Sequence, residues 1–230
     1  MNLSQIFFPK RCLGCKKFGT YLCSSCKDEI LQTDLVCPSC EKASVGGITH
    51  PLCAGKFRLN GLWSLGIYQG SLKSGVQKLK YRFVRELAQV LVDLTIEYWA
   101  GNSPYLLDRI AKDRGEGWLI TAVPLHKKRQ NWRGFNQSEL IAKLFAEKMG
   151  LKYENLLLRT KYTKPQVGLL SRDRKRNIKD AFSLYTKYPL HHTNVILVDD
   201  VWTTGSTLKE CTYVLKRGGV KEVWGLTLAR

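Results

Sequence analysis

From about residue 60 to the C-terminus of the 230-residue chain, short dense apolar runs alternate with longer stretches whose apolar residues recur at helical spacing. LWSLGIY (62–68) reads as a strand, and Ser71 to Trp99 as helix, with Leu87, Val90, Leu91 and Leu94 on one face. GWLITAVP is a second strand, ended by Pro124, and SELIAKLFAEKMG is an amphipathic helix closed by Gly150. NVILVDD is a third strand, followed by a helix from Thr207 to Arg217, a Gly-Gly stop and the final strand VKEVWGLTLA. Such alternation predicts an α/β fold, a mostly parallel sheet with helices on both faces. No internal repeat or low-complexity tract interrupts it.

The beginning of the chain follows no such pattern, and cysteines organise it instead. Seven of the eight cysteines precede residue 54, as CLGC, CSSC, CPSC and HPLC, with His50 where a fourth pair would have a cysteine. Seven thiolates and one imidazole make two closed tetrahedral zinc sites. Taken in chain order, Cys12, Cys15, Cys23 and Cys26 hold one ion, and Cys37, Cys40, His50 and Cys53 the other; the spacing equally admits a cross-braced pairing of the first and third knuckles. Both zinc ions are expected to be structural, because about 55 residues build too small a core to fold without a staple and no ligand position is left open. Disulfides fit less well, since cytosolic thiols stay reduced. The division expected is a double zinc ribbon over 1–56 and the α/β domain over 57–230. Cys211, inside a helical pattern, reads as a buried thiol.

Charge adds a partner class. Lys and Arg number 37 against 19 Asp and Glu, a formal +18, and such a field draws polyanions such as nucleic acid or phosphorylated metabolites. No apolar run approaches the length of a membrane span, and MNLSQIFFPKRC is too short and too soon charged for a signal peptide, so a cytoplasmic protein with no membrane insertion is expected.

The chemistry concentrates in VILVDDVWTTGST (195–207). In parallel sheets ligands gather at the carboxyl ends of strands, where this segment falls. The helix start after it offers free N–H groups, Gly205 permits close approach, and Thr203, Thr204, Ser206 and Thr207 add hydroxyls: a phosphate cradle. Thr207 with Glu210 also fits a plain capping box, which accounts for one residue but not for four hydroxyls, or for Asp199 and Asp200 before them. A ligand with a 5′-phosphate beside a ribose accounts for all of them. The segment resembles the phosphoribosyl pyrophosphate motif of type I phosphoribosyltransferases. That resemblance implies phosphoribosyl pyrophosphate with Mg²⁺, the carboxylates taking the ribose hydroxyls and stabilising positive charge on the ring as pyrophosphate leaves.

Further segments narrow the likeness. AVPLHKKRQNWRGFNQSELIA, KPQVGLLSRDRKRNIKDAF (Gln166, Arg174, Asn177, Ala181, Phe182), LKYRFVRELAQVL and the cysteine-rich start together resemble the ComF family, with His50 departing from the cysteine many members carry. The resemblance implies a type I phosphoribosyltransferase-like domain behind a double zinc ribbon. It also implies a pyrophosphate loop at Pro124, Leu125 and His126, with Arg133, Asn136 and Gln137 contacting phosphate or holding that loop. Residues 159–177 then form a catalytic arm whose Arg174 folds over the pyrophosphate. His126 reads as a rim or loop residue rather than a general base.

Two functions of different classes follow from the resemblance. One is phosphoribosyl transfer to or from an unidentified nucleophile. The other is DNA uptake in natural transformation, with single-stranded DNA bound and a helicase as partner. For the second, KLKYRF, HKKRQNWRGF and RTKYTK interleave cations with aromatics, so that Tyr81, Trp132 and Tyr162 are the stacking candidates. The zinc domain is either a hood over the phosphoribosyl pocket or a surface for DNA or a partner.

Overall fold

The computed structural model describes residues 10–30, 34–80, 85–102, 104–163, 171–186 and 189–230. Its centre is a five-stranded, wholly parallel sheet in the order β1-β7-β6-β2-β3, with β1 Gly61–Gly66, β2 Trp118–Ala122, β3 Lys152–Tyr153, β6 Asn194–Val201 and β7 Glu222–Ala229. Side-chain alternation divides the core in two. Ile196 and Val198 of β6, with Trp63, Leu65, Trp224 and Leu226, face α3 (Arg85–Asn102) and α6 (Gln137–Met149). Val195 and Leu197, with Leu62 and Val223, face α8 (Ser206–Arg217) through Leu208, Cys211 and Leu215. The sheet is thus covered on both faces, and its central strands read as unbroken apolar runs for that reason. The fold is the type I phosphoribosyltransferase-like α/β architecture, preceded by a zinc-ribbon module.

Two helical expectations change. The stretch Ser71–Trp99 is two helices, α2 (Gly70–Lys78) and α3, because α2 packs against β7 whereas α3 packs against α6; Tyr81 lies outside the described residues. The capping box at Thr207 is not formed. Helix α8 begins one residue earlier, behind Gly205 in the left-handed region (φ +65°) and with no side-chain cap, while Glu210 accepts the N–H of Asp180 at 2.8 Å. Cys211 is fully buried, and burial pushes its thiol well up from its ordinary value.

Beside the sheet, β4 (Leu157–Arg159) and β5 (Phe182–Leu184) form an antiparallel ribbon that carries residues 160–181, including α7 (Ser171–Ile178). Helix α5 (Lys127–Arg133) follows β2, α4 (Pro104–Lys112) follows α3, and the short α1 (Ser24–Asp28) lies in the cysteine-rich start.

The cysteine-rich start contains a structural repeat that the spacing alone did not reveal. In each of two knuckles the first cysteine donates its N–H to the carbonyl five residues on, Cys12 to Lys17 (2.8 Å) and Cys37 to Lys42 (3.0 Å). In each, a left-handed non-glycine residue returns its N–H to that cysteine, Lys16 to Cys12 and Glu41 to Cys37. Flanking bridges Arg11–Phe18 and Val36–Ala43 repeat as well. The module is welded to the body: Cys12, Leu13 and Cys26 belong to one apolar cluster of the sheet, Val36 to the other, and Thr49 donates its hydroxyl to the Leu59 carbonyl and its N–H to the Asn60 carbonyl. Gly47 (φ +71°) lies so close to β1 that a Cβ there would stand 2.1 Å from the Leu62 carbonyl oxygen. Among the described residues, no helix is long and apolar enough to cross a membrane.

Candidate functional site

Chain topology decides where a cavity opens. From β2 the chain passes through α6 to β3 on one side, and from β6 through α8 to β7 on the other; right-handed crossovers in opposite directions place α6 and α8 on opposite faces. The neighbouring strands β2 and β6 are therefore the switch point, and the crevice at their carboxyl ends is the expected ligand site. A cavity of about 680 Å³ lies there, lined by Val123 and Leu125 after β2 and by Asp199, Asp200, Val201 and Trp202 at the end of β6.

Its floor is acidic and braced. The Ser138 hydroxyl donates to Asp199 Oδ1 at 2.9 Å, and the Asp200 N–H donates to the same oxygen at 2.9 Å. Gln137 Nε2 donates to Asp200 Oδ2 (3.1 Å) while its Oε1 accepts from Arg133 (3.2 Å), a relay from guanidinium to carboxylate. Burial first, then the neighbouring charge of Asp200, pushes the Asp199 carboxyl up to about 7, against the Ser138 and Asp200 hydrogen bonds and Arg159.

Beside the floor is the hydroxyl loop. Thr203, Gly205, Ser206 and Thr207 line the cavity, whereas Thr204 turns its hydroxyl to Ser206 Oγ at 2.7 Å. Gly205 is required twice over: its backbone is left-handed, and a Cβ would stand 2.2 Å from the buried indole of Trp202, on which the loop rests. Lys209 Nζ lies 5.1 Å from the same ring.

The remaining walls are basic. Lys73, Gln77 and Lys80 come from α2 and the turn after it, and Lys128, Arg129, Trp132 and Arg133 from α5. Arg159, only 6% exposed, closes one side: its Nη2 donates to the Thr163 hydroxyl, its guanidinium lies 5.3 Å from the Phe182 ring, and its Nε is buried with no partner among the described residues. His126 starts α5 as its N-cap, Nδ1 accepting the Lys128 N–H at 3.2 Å, and meets Tyr162 edge to face. Burial, then Arg159, Lys128 and Arg129, lower its pKa, which keeps the ring neutral and Nδ1 able to accept.

Of the residues expected at this site, the structure gathers Leu125, Arg133, Gln137, Asp199, Asp200, Thr203, Gly205, Ser206 and Thr207 around one cavity. Asn136 is not among the lining: it is 6% exposed, caps α6 by accepting from Ser138 N–H, and donates to the Val123 carbonyl (3.0 Å), so it holds the loop. Pro124 begins the loop without lining the cavity. The side chain of Arg174, on α7, lies outside the described residues, as does Gln166. No described residue of 1–56 is among those lining the cavity.

The two Cys/His sets assemble in chain order, not cross-braced: Cys12, Cys15, Cys23 and Cys26 in one, Cys37, Cys40, His50 and Cys53 in the other, with ligand atoms within 4.8 Å of one another in each. Cys12 and Cys15 each stand 3.7 Å from Cys23, sulfur to sulfur, matching the roughly 3.8 Å edge of a sulfur tetrahedron around zinc. His50 Nε2 faces the Ala43 carbonyl at 3.0 Å and must carry the proton it donates, leaving Nδ1, 3.4 Å from Cys40 Sγ, as the ligand. Both sets suit structural zinc.

Comparison with known proteins agrees with this architecture. No protein-family model matches the chain. "Competence protein F" of Haemophilus influenzae is 33% identical over 97% of this chain and 99% of its own length. The chain belongs to the ComF family. Within the family, "DNA utilization protein YhgH" of Escherichia coli K12 is 30% identical over 89% of each chain, and "Competence protein ComFC" of Bacillus subtilis 23% over 91% of this chain and 84% of its own.

Three residues have roles at the site that the sequence does not disclose. Ser138 is the first partner of Asp199, Trp202 is the plate beneath Gly205, and Arg159 is the buried cation. Of these, Arg159 alone is marked in the sequence, as the first residue of RTKYTK and of the arm 159–177.

Proposed function

We propose that this ComF-family protein binds phosphoribosyl pyrophosphate at the β2–β6 switch point and acts in DNA uptake by holding single-stranded DNA. The observation that carries this reading is the meeting, in one cavity, of a helix start without a side-chain cap, its hydroxyl loop and the braced pair Asp199 and Asp200. In this reading Thr203, Gly205, Ser206 and Thr207 receive the 5′-phosphate with Thr204 holding Ser206, the carboxylates accept from the ribose hydroxyls, and Leu125, Arg133 and Gln137 border the pyrophosphate, with Pro124 and Asn136 fixing the loop. The oxygen donors at the floor suit Mg²⁺, which when bound with the substrate neutralises pyrophosphate. Arg174 is the cation of the arm. Residues 1–56 are the zinc domain and 57–230 the phosphoribosyltransferase-like domain, with a cytoplasmic place of action beside a helicase partner.

Strand binding is supported by the basic walls, by exposed Trp132 and Tyr162 at the cavity, and by relatives named for competence and DNA utilization. A second reading, phosphoribosyl transfer in nucleotide metabolism with no DNA role, is favoured by the acid pair beside the sugar position, where carboxylates stabilise a cationic ring. Calorimetric titration of phosphoribosyl pyrophosphate with Mg²⁺ into the zinc-loaded chain tests the first claim. Saturable binding, weakened at least tenfold by Asp199→Asn/Asp200→Asn, is expected; a folded protein that binds none refutes it. Turnover in a nucleobase screen without any strand affinity would select the second reading.

A further inference from the structure

The cavity lining is strongly basic on the side away from its two carboxylates. Lys73, Lys80, Lys128, Arg129, Arg133 and Arg159 line it against two carboxylates, Asp199 and Asp200. Helix α5, KKRQNWR, contains four cations and no acid. Its aromatic residue Trp132 is 80% exposed although it borders the cavity, and Tyr162, 57% exposed, borders it too. Lys128 and Arg129 lie 5.4 and 5.9 Å from the Tyr162 ring, and Arg129 donates to the Thr163 carbonyl (2.9 Å) beside the Thr163 hydroxyl that holds Arg159. Stacking surface and cations therefore share one wall of the pocket.

We propose that this wall is the landing site for single-stranded nucleic acid and that a strand and phosphoribosyl pyrophosphate exclude one another from it. The inference rests on the phosphoribosyl pyrophosphate and strand-binding reading given above. A strand stacked on Trp132 and Tyr162 lays its phosphates on Lys128 and Arg129, because these are the cations over the Tyr162 ring. A phosphoribosyl pyrophosphate molecule anchored by its 5′-phosphate in the Thr203–Thr207 loop and by its ribose on the acids directs its pyrophosphate at the same wall. The hydroxyl loop takes only one end of that ligand, so its other anion depends on the cations that the strand uses. Two polyanions would then stand well within a Debye length of each other and share their counter-charges. The small ligand thereby sets whether the strand is held, with no second site and no conformational relay.

The test uses the full zinc-loaded chain, a fluorescein-labelled oligothymidine and phosphoribosyl pyrophosphate with Mg²⁺, each first titrated alone. Saturating phosphoribosyl pyrophosphate is expected to raise the apparent Kd of the strand at least tenfold, and saturating strand to raise that of phosphoribosyl pyrophosphate by the same factor, as linkage requires. Trp132→Ala, a change at an exposed position, should weaken the strand by at least fivefold. If both ligands bind alone and neither moves the other's Kd, exclusion is overturned while the functional reading stands. If either ligand fails to bind alone, the reading falls and exclusion with it. Displacement reproduced by sodium sulfate at matched ionic strength, or an unaltered strand Kd in Trp132→Ala, also overturns the proposal.

Discussion

The cysteine module and the cavity are built in opposite ways. Every ligand of the module comes from one contiguous stretch between Cys12 and Cys53, and each knuckle closes on hydrogen bonds spanning at most nine residues. The cavity draws its walls from Tyr68 to Leu208, and the sheet has to be paired before Asp199 can meet Ser138 across 61 positions. A metal centre replaces a core where the chain is too short to have one, whereas the cavity is a by-product of strand order in a core already complete. The two are nevertheless not independent, because Cys12 and Cys26 sit in the same apolar cluster as Trp63, Leu72 and Val76.

That shared cluster yields the largest expected effect. If the module were a free appendage, stripping its metal would unfold residues 1–56 and leave the sheet unchanged. Loss of structural zinc forfeits about 10 kcal/mol per site in small metal-folded peptides, and here it would also uncover helix α2, against which Leu13 and Cys26 lie. Chelation should release two zinc ions per chain and lower the Tm of the whole protein by at least 10 °C in scanning calorimetry. Hydrogen exchange should show lost protection in α2 as well as in the knuckles. Protection of α2 unchanged after complete metal release would mean that the module is energetically separate.

Next in size is a change at the cavity. Gly205→Ala forces a left-handed alanine, about 1–3 kcal/mol by itself, and drives its methyl into the Trp202 ring. At about 2–4 °C per kcal/mol for a chain of this length, the Tm should fall by roughly 5–10 °C, with a loss of phosphoribosyl pyrophosphate affinity. Trp202→Leu combined with it should recover the part due to collision and not the part due to backbone strain, so a double-mutant cycle in urea separates the two. Full additivity would show that the indole is no support for the loop.

The same contrast governs what the sequence could disclose. The eight metal ligands were readable because spacing within a knuckle is the geometry of the knuckle; only the pairing stayed open, since cross-braced and sequential ribbons share the same spacings. The strands and α6 were readable because both faces of the sheet are covered and the helix carries one apolar stripe. In the cavity, Asp199 to Thr207 were readable as a local motif, and yet the brace from Ser138 and Gln137 was not, because it depends on α6 passing β6 in space. Gly205 reads in the sequence as room for the close approach of a ligand, while in the structure its immediate reasons are a left-handed backbone and Trp202. Thr207 with Glu210 had the letters of a capping box, but Glu210 is spent on the Asp180 N–H, a partner 30 residues away.

The smallest expected effect concerns the cost of the acid pair itself. Asp199 has its carboxyl raised from 3.8 to about 7 in the folded chain, so between those values the native state binds a proton that the unfolded state has released. Its contribution to stability is therefore fully present below about pH 4 and is lost as pH rises through about 7. No metal thiolate behaves this way, since thiol protonation weakens zinc binding in acid. Asp199→Asn cannot ionise, and relative to the wild type it should gain about 2–4 °C in Tm at pH 8, the equivalent of roughly 1 kcal/mol, with the gain shrinking at pH 6. Phosphoribosyl pyrophosphate affinity should fall in the same variant, so stability and binding move in opposite directions at this one residue. A gain independent of pH would trace the change to packing and not to the buried charge. A loss of Tm at pH 8 would mean that the Ser138 and Asp200 hydrogen bonds outweigh burial, and that the acidic floor stabilises the sheet end rather than straining it.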